Sequence, residues 1–133
     1  NGTKLYINGS SETLGTHTVT TNDSAPFQLG KRYDTNYEFG GLMDEVAIFN
    51  SALSATDIAS LRDTSGTSPL PADISSLDPV GWWRMGDGTG DTDSSGGTPA
   101  STDAIGTVVN QGSASSANGT GTNGPTFSND VPS

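Results

Sequence analysis

Few residues of this chain could act as catalysts. His17 is the only histidine, so a Ser-His-Asp arrangement would have to use it. It lies in a Thr-rich segment with no apolar pocket signal around it, which favours an exposed strand histidine. Cleavage of a glycosidic bond needs two carboxylates facing each other across a sugar. Asp44 and Glu45 are adjacent on a predicted strand, which points them to opposite faces. The sequence therefore predicts that the protein is not an enzyme.

A second chemistry open to this sequence is calcium binding. The densest acidic loop covers residues 87–96, and its Asp-x-Asp-x-Ser-Gly run from residue 91 places oxygens at alternate positions before a glycine, as in the first half of an EF-hand loop. The bidentate glutamate of such a loop is missing. A solvated acidic loop is the alternative. Calcium is the candidate cofactor, and its candidate ligands are Asp44, Asp87, Asp91 and Asp93.

The amino-acid composition limits the kinds of partner and the kinds of fold that this chain can have. The 133 residues include 5 Lys and Arg against 15 Asp and Glu, a formal net charge of −10, so a phosphate backbone would be repelled and nucleic acid is excluded as a partner. No apolar run approaches membrane-spanning length, and we expect no membrane insertion. There is no cysteine. With 30% hydrophobic residues and 18 glycines, the core must be thin, which suits a β-sandwich.

The strongest structural signal is a strand followed by a capped helix. Almost every residue from Leu42 to Phe49 is apolar or β-branched, which predicts a strand covered on both faces. Alternation puts Asp44 among aliphatic side chains, where it must be hydrogen-bonded, paired or metal-bound. Ser54 and Asp57 form a capping-box-like pair that predicts one short helix over residues 55–62.

Two earlier strands precede this pair of elements. Alternation at residues 4–7 predicts a half-buried strand, and Asn8-Gly9 is a strong hairpin turn signal. A further strand is marked by Phe27 and Leu29. The predicted core consists of Leu5, Ile7, Phe27, Leu29, Leu42, Val46, Ile48 and Leu61.

The second half of the chain holds one more informative run. Residues 63–78 have the composition of a linker. Residues 80–86 form a strand with Trp82 and Trp83, which must point to opposite faces. This strand either begins a separate folded unit or pairs with the strand at 42–49. We favour pairing, because an unpaired strand that carries two Trp would expose an edge at which other chains could aggregate. Residues 112–124 are expected to lie on a partner or to be mobile.

These runs resemble a known family. The segment Gly-Leu-Met-Asp-Glu-Val-Ala-Ile-Phe-Asn-Ser-Ala-Leu-Ser at 41–54 is similar to the end of laminin-G-like (concanavalin A-like) jelly-roll modules, and residues 4–9 and 26–30 resemble two earlier strands. The resemblance covers residues 1–62 and implies an all-β, antiparallel jelly-roll β-sandwich. Residue 1 would then lie mid-module, so we expect a fragment of a longer polypeptide. Residues 79–133 open with a strand that resembles a module's first strand.

The resemblance also shapes the expected function. The Trp-Trp-Arg-Met-Gly-Asp run at 82–87, following the helix, resembles C-terminal regions of phage structural proteins. We expect a non-catalytic adhesion module on an extracellular or virion surface that binds a glycan or a cell-surface protein, with Tyr33 and Tyr37 stacking on sugar. The alternative is a structural decoration or fibre subunit whose loops pack on other subunits of a virion or fibre assembly.

Overall fold

Short strands in three small antiparallel sheets and one short helix make up the described part of this chain, in agreement with the predicted all-β class. The computed structural model describes residues 3–15, 27–31, 37–61, 74–114, 116–122 and 125–128. The chain divides into two compact units, residues 1–42 and 43–133. The division falls before the strand at 46–48.

The first unit contains the predicted hairpin. Strand β1 (Lys4–Ile7) pairs antiparallel with β2 (Ser10–Thr13), and Leu5 lies opposite Glu12. Asn8 and Gly9 both have positive φ, 50° and 79°, as a two-residue hairpin turn whose twist matches the strands requires. The Asn-Gly turn prediction is confirmed.

The predicted core is wrong for most of its members. Val46 and Leu61 are only half-buried. The other six side chains are 37–61% exposed, namely Leu5, Ile7, Phe27, Leu29, Leu42 and Ile48. The prediction assumed a second sheet over the hairpin, but within the described residues of the first unit no second layer lies on it.

The core lies in the second unit instead. Five apolar side chains there are each at most 8% exposed: Ile74, Trp82, Trp83, Val108 and Phe127. Both tryptophans are among them. Burying two large rings supplies much of the apolar area that a chain with so few aliphatic residues can remove from water.

The tryptophan strand pairs where the sequence favoured it. Strand β3 (Val46–Ile48) lies antiparallel to β4 (Gly81–Trp83), with Ala47 opposite Trp82. The predicted pairing of the two runs is therefore confirmed. Strand β3 is shorter than the predicted 42–49, because Glu45 has φ 49° and interrupts the extended backbone.

The helix forms as its caps predict. Helix α1 (Ala55–Ser60) starts after Ser54, whose hydroxyl accepts a hydrogen bond from the Asp57 backbone N–H at 3.1 Å. The Asp57 carboxylate accepts one in return from the Ser54 backbone N–H at 3.0 Å, which completes a capping box. The helix ends at Ser60, with Leu61 as its C-cap. No helix in the described ranges is long and apolar enough to span a membrane.

A three-stranded sheet closes the second unit. Strand β6 (Ile105–Val108) pairs on one side with β5 (Thr92–Asp93) and on the other with β7 (Gly119–Thr120). An isolated bridge between Ala104 and Thr126 brings Phe127 beside this sheet. The ring of Phe127 lies against Gly86, where a Cβ atom would come within 2.8 Å of it.

Residues 110–114, which we term the strap, cover the edge of β4 that does not pair with β3. The backbone N–H of Gln111 donates to the Trp82 carbonyl at 2.8 Å. The Asn110 carboxamide oxygen accepts from the Trp82 backbone N–H at 2.7 Å, and its NH₂ donates to the Val80 carbonyl at 3.2 Å. The expectation that residues 112–124 lie on a partner or are mobile is wrong for their described part, because 112–114 bond to this chain and β7 joins the sheet.

Candidate functional site

Three carboxylates converge where the chain enters β3. Asp44, Glu45 and Asp87 each offer an oxygen, and these oxygens lie within 4.8 Å of one another. Asp44 and Asp87 are exposed, whereas Glu45 is half-buried. We call this group the carboxylate cluster.

The backbone of Glu45 creates the cluster. Its φ of 49° turns the chain, and its N–H donates to the Asp44 side-chain oxygen Oδ1 at 2.8 Å. Adjacent residues point to opposite faces only in extended backbone. The prediction that Asp44 and Glu45 face opposite sides is therefore wrong, and so is the argument against paired carboxylates that rested on it.

A cation from the same chain neutralises much of this charge. Arg84 Nε lies 3.0 Å from Glu45 Oε1, and Arg84 Nη2 lies 2.8 Å from Asp87 Oδ2. The other Glu45 oxygen, Oε2, accepts a hydrogen bond from Trp82 Nε1 at 2.5 Å. The guanidinium carbon of Arg84 is 5.4 Å from the centre of the Trp82 ring, a cation–π distance. Glu45 thus ties β4 to the cluster.

Asp44 is the least compensated member. Partial burial raises the pKa of Asp44, and the negative charges of Glu45 and Asp87 raise this pKa further. The hydrogen bond from the Glu45 N–H and the charge of Arg84 lower it, but they do not outweigh the other effects. The folded protein therefore disfavours the ionised form of this carboxyl.

The other predicted calcium ligands serve their own loops. Asp91 is 6% exposed, and its carboxylate accepts hydrogen bonds from the backbone N–H groups of Gly86 at 2.9 Å, Gly88 at 3.2 Å and Val109 at 2.7 Å. A buried carboxylate bonded in this way braces the turn before β5 against the end of β6. Of the four predicted ligands, the structure brings only Asp44 and Asp87 together.

Asp93 closes a tight turn. Its Oδ1 accepts from the Ser95 hydroxyl at 2.6 Å, the Ser95 N–H at 2.7 Å and the Gly97 N–H at 3.0 Å. The Ser95 hydroxyl bond, followed by the backbone N–H bonds, lowers the pKa of Asp93. The alternating oxygens that suggested an EF-hand half are here a turn in which serine and aspartate satisfy each other.

The aromatic residues proposed for stacking are described only in part. Tyr33 lies outside the described residues, and so does His17. Tyr37 is 72% exposed in the first unit. The Phe39 N–H donates to the Gly30 carbonyl at 2.7 Å, and Lys31 forms an isolated antiparallel β-bridge with Glu38. Phe39 is 56% exposed beside it.

Sequence reasoning missed three members of the network around the cluster. Glu45 was assigned to the wrong face, and neither Arg84 nor Trp82 was connected with it. The predicted pairing of residues 42–49 with residues 80–86 could have revealed the contact between Glu45 and Arg84. A register with Val46 opposite Trp83 places residues 45 and 84 opposite each other. A Glu and an Arg at such positions form a cross-strand ion pair.

One family model matches part of this chain. Residues 1–59 match the family model for the concanavalin A-like lectin/glucanases superfamily, specifically its laminin G group. No curated protein and no solved structure matches the chain. The match supports a lectin/glucanase-like, β-sandwich type of fold for residues 1–59, in accord with the resemblance seen in the sequence.

Proposed function

We propose that this chain is a non-catalytic binding module of a larger extracellular or virion protein, and that it recognises a glycan or a cell-surface partner. Laminin-G-like modules are often non-catalytic binding modules, which supports the assignment. In this proposal residues 1–62 contribute to an antiparallel jelly-roll sandwich of the kind found in phage structural proteins.

The observation that carries the proposal is the surface of the first unit. Tyr37, Phe27 and Phe39 are 72%, 61% and 56% exposed. Exposed aromatic rings offer a face for sugar C–H groups or for protein side chains. The other predicted stacking residue, Tyr33, lies outside the described residues and stays a prediction.

The absence of catalysis is part of the proposal, because the matched superfamily includes glucanases. Both oxygens of Glu45 already have partners, Arg84 and the Trp82 N–H. A nucleophile or general base must present a free oxygen to the reacting centre. We expect no hydrolysis of β-glucans, and release of reducing sugar by the wild type that is lost in Glu45→Gln would contradict this.

A binding assay on the whole chain tests the role proposed for the surface of the first unit. The wild type and the variant Tyr37→Ala are each presented to an immobilised glycan panel and to intact cells. Leu14→Ala is the matched control, because Leu14 is also exposed, at 47%, but lies beyond β2. We expect Tyr37→Ala to weaken binding and Leu14→Ala to leave it unchanged. Equal binding by all three proteins would contradict the assignment.

One observation favours the structural alternative. The described part of the first unit contains no fully buried side chain, and the aliphatic residues Leu5 and Ile7 of its hairpin are exposed. A decoration or fibre subunit would cover such a surface with neighbouring subunits of the assembly. A density map of the whole assembly distinguishes the two functions, since the alternative requires Leu5 and Ile7 to contact a neighbouring chain.

Calcium binding also belongs to this proposal. Within it the ion takes oxygens from Asp44, Glu45 and Asp87 at about 2.3–2.6 Å and displaces Arg84 from at least one carboxylate. Titration calorimetry should then show calcium heat for the wild type and for Asp103→Asn, a control carboxylate elsewhere in the unit. Asp87→Asn should lose that heat. Absence of heat in the wild type, with melting unchanged by a chelator, would reject the site.

A further inference from the structure

The peptide bond between Asp78 and Pro79 lies at a strained point of the second unit. Asp78 follows a short 3₁₀ turn (Ser75–Leu77) and adopts φ 52° and ψ 57°, in the left-handed region. Residues other than glycine enter this region at a cost, although aspartate tolerates it better than most. A following proline adds to the cost, because its Cδ disfavours helical backbone angles in the residue before it. The strain is therefore concentrated at this residue.

Hydrogen bonds on both sides keep this conformation in place. The Asp78 N–H donates to the Ser75 carbonyl at 3.0 Å. Pro79 is buried, and its carbonyl accepts from the Ser113 N–H at 3.0 Å. One residue further on, the Val80 N–H donates to the Ile48 carbonyl at 2.9 Å. The neighbours are fixed, so the bond cannot relax without disturbing β4 and the strap.

The two residues at this strained point form a peptide bond that is open to attack by the aspartate side chain. Asp78-Pro79 is the only Asp-Pro pair in the chain. A carboxylate two carbons from its own backbone carbonyl can attack that carbonyl to close a five-membered ring. The proline nitrogen is a tertiary amide without N–H, and it is a better leaving group than the nitrogen of a secondary amide once it is protonated.

We propose that Asp78–Pro79 is a self-cleavage site. A side-chain oxygen of Asp78 bonds to its backbone carbonyl carbon, and the bond from that carbon to the Pro79 nitrogen breaks. The nitrogen leaves with a proton taken from the solvent, which frees Pro79 as a new N-terminus. Water then opens the cyclic anhydride and gives Asp78 two carboxyl groups. The net reaction is hydrolysis of one peptide bond with the consumption of one water.

The two products stay together because the fold crosses the cut. Strand β3 belongs to the fragment that ends at Asp78, and its partner β4 belongs to the fragment that starts at Pro79. Glu45 on one fragment contacts Trp82 and Arg84 on the other. Cleavage therefore produces a nicked protein whose two fragments remain associated until the protein is denatured.

The test compares the same bond in the folded and the unfolded chain. Wild-type protein is kept in mildly acidic buffer, with and without denaturant, and fragments are followed by intact mass spectrometry and denaturing gels. We expect cleavage between residues 78 and 79 to be about tenfold faster in the folded chain, which corresponds to about 1.4 kcal/mol of strain released in the transition state. Equal or slower cleavage in the folded chain would overturn the proposal.

Two variants and one internal control complete the experiment. Asp78→Gly removes the carboxylate and accepts the left-handed conformation, so it should fold and remain intact. Asp78→Asn retains the size of the side chain without the carboxylate and should also remain intact. The residue before Pro99 is Thr98, whose side chain carries no carboxylate, so the Thr98–Pro99 bond should survive. Cleavage of Asp78→Gly at the wild-type rate would overturn the proposed chemistry.

Discussion

Asn110 is the residue whose loss should reveal how the second unit is held together. Its carboxamide makes four hydrogen bonds within the chain. Two connect it to β4 and to the residue before that strand, through the Trp82 N–H and the Val80 carbonyl. The other two hold the strap itself, from the Gly112 N–H at 2.9 Å and to the Ala114 carbonyl at 2.6 Å. The side chain therefore takes the place of one residue of a neighbouring strand along the edge of β4.

The cost of Asn110→Ala follows from these four bonds. Each neutral hydrogen bond contributes a net of about 0.5–1.5 kcal/mol, and a partly buried group left without a partner costs about 1–3 kcal/mol. Water can reach the more exposed Ala114 carbonyl, so the two groups on β4 dominate. We expect the free energy of unfolding to fall by about 2–4 kcal/mol. Asn110→Asp should cost at least as much, because its carboxylate would face two carbonyl oxygens.

Urea unfolding followed by tryptophan fluorescence measures this change, since both indole rings are buried in the core. Asn50→Ala serves as the control, because Asn50 is an exposed asparagine after β3 and should change stability by less than about 0.5 kcal/mol. The slope of the transition should stay constant across the variants. If Asn110→Ala unfolds within about 0.5 kcal/mol of the wild type, the strap does not stabilise β4 and the reasoning is wrong.

Three further predictions follow from the same unit. Trp83→Ala should lower the free energy of unfolding by about 3–5 kcal/mol in the same urea assay, because its ring fills the core and its Nε1 donates to the Ala117 carbonyl at 2.9 Å. Ser54→Ala should cost about 1 kcal/mol through loss of the helix cap. It should also raise the pKa of Asp57 in an NMR titration, since the Ser54 hydroxyl bond lowers that pKa. The folded protein raises the pKa of Asp44, so the stability that this group contributes is present at low pH and is lost as pH rises through its folded-state pKa. Asp44→Asn should therefore be more stable than the wild type at neutral pH and should lack this loss, whereas unchanged pH curves would contradict the assignment.

The features that could be predicted from the sequence were mostly local ones. The Asn8-Gly9 turn and the Ser54–Asp57 capping box both form as predicted, because a turn or a cap is decided by a few neighbouring residues. The pairing of β3 with β4 was also predictable, since an apolar strand with two tryptophans needs a partner.

The location of the core was not predictable in the same way. Leu5 and Ile7 alternate like core residues, but alternation shows only which side chains share a face and not whether another layer covers that face. The side chains that are buried instead include Val108 and Phe127, which come from a Gly- and Ser-rich region with little apolar periodicity. Long-range contacts bury them, and no local pattern announces such contacts.

The carboxylate cluster shows how one backbone angle changes the chemistry of a strand. Residues 42–49 read as continuous strand because their side chains suit one, yet positive φ at Glu45 ends the extended backbone just before β3. That turn brings Glu45 beside Asp44 and within reach of Trp82 and Arg84. The energetic cost of positive φ at Glu45 is offset by the ion pair with Arg84 and the indole hydrogen bond from Trp82 that its side chain makes. Because glycine adopts positive φ without this cost, Glu45→Gly should keep the backbone path while it releases Arg84, and the carboxylates of Asp44 and Asp87 should remain close together.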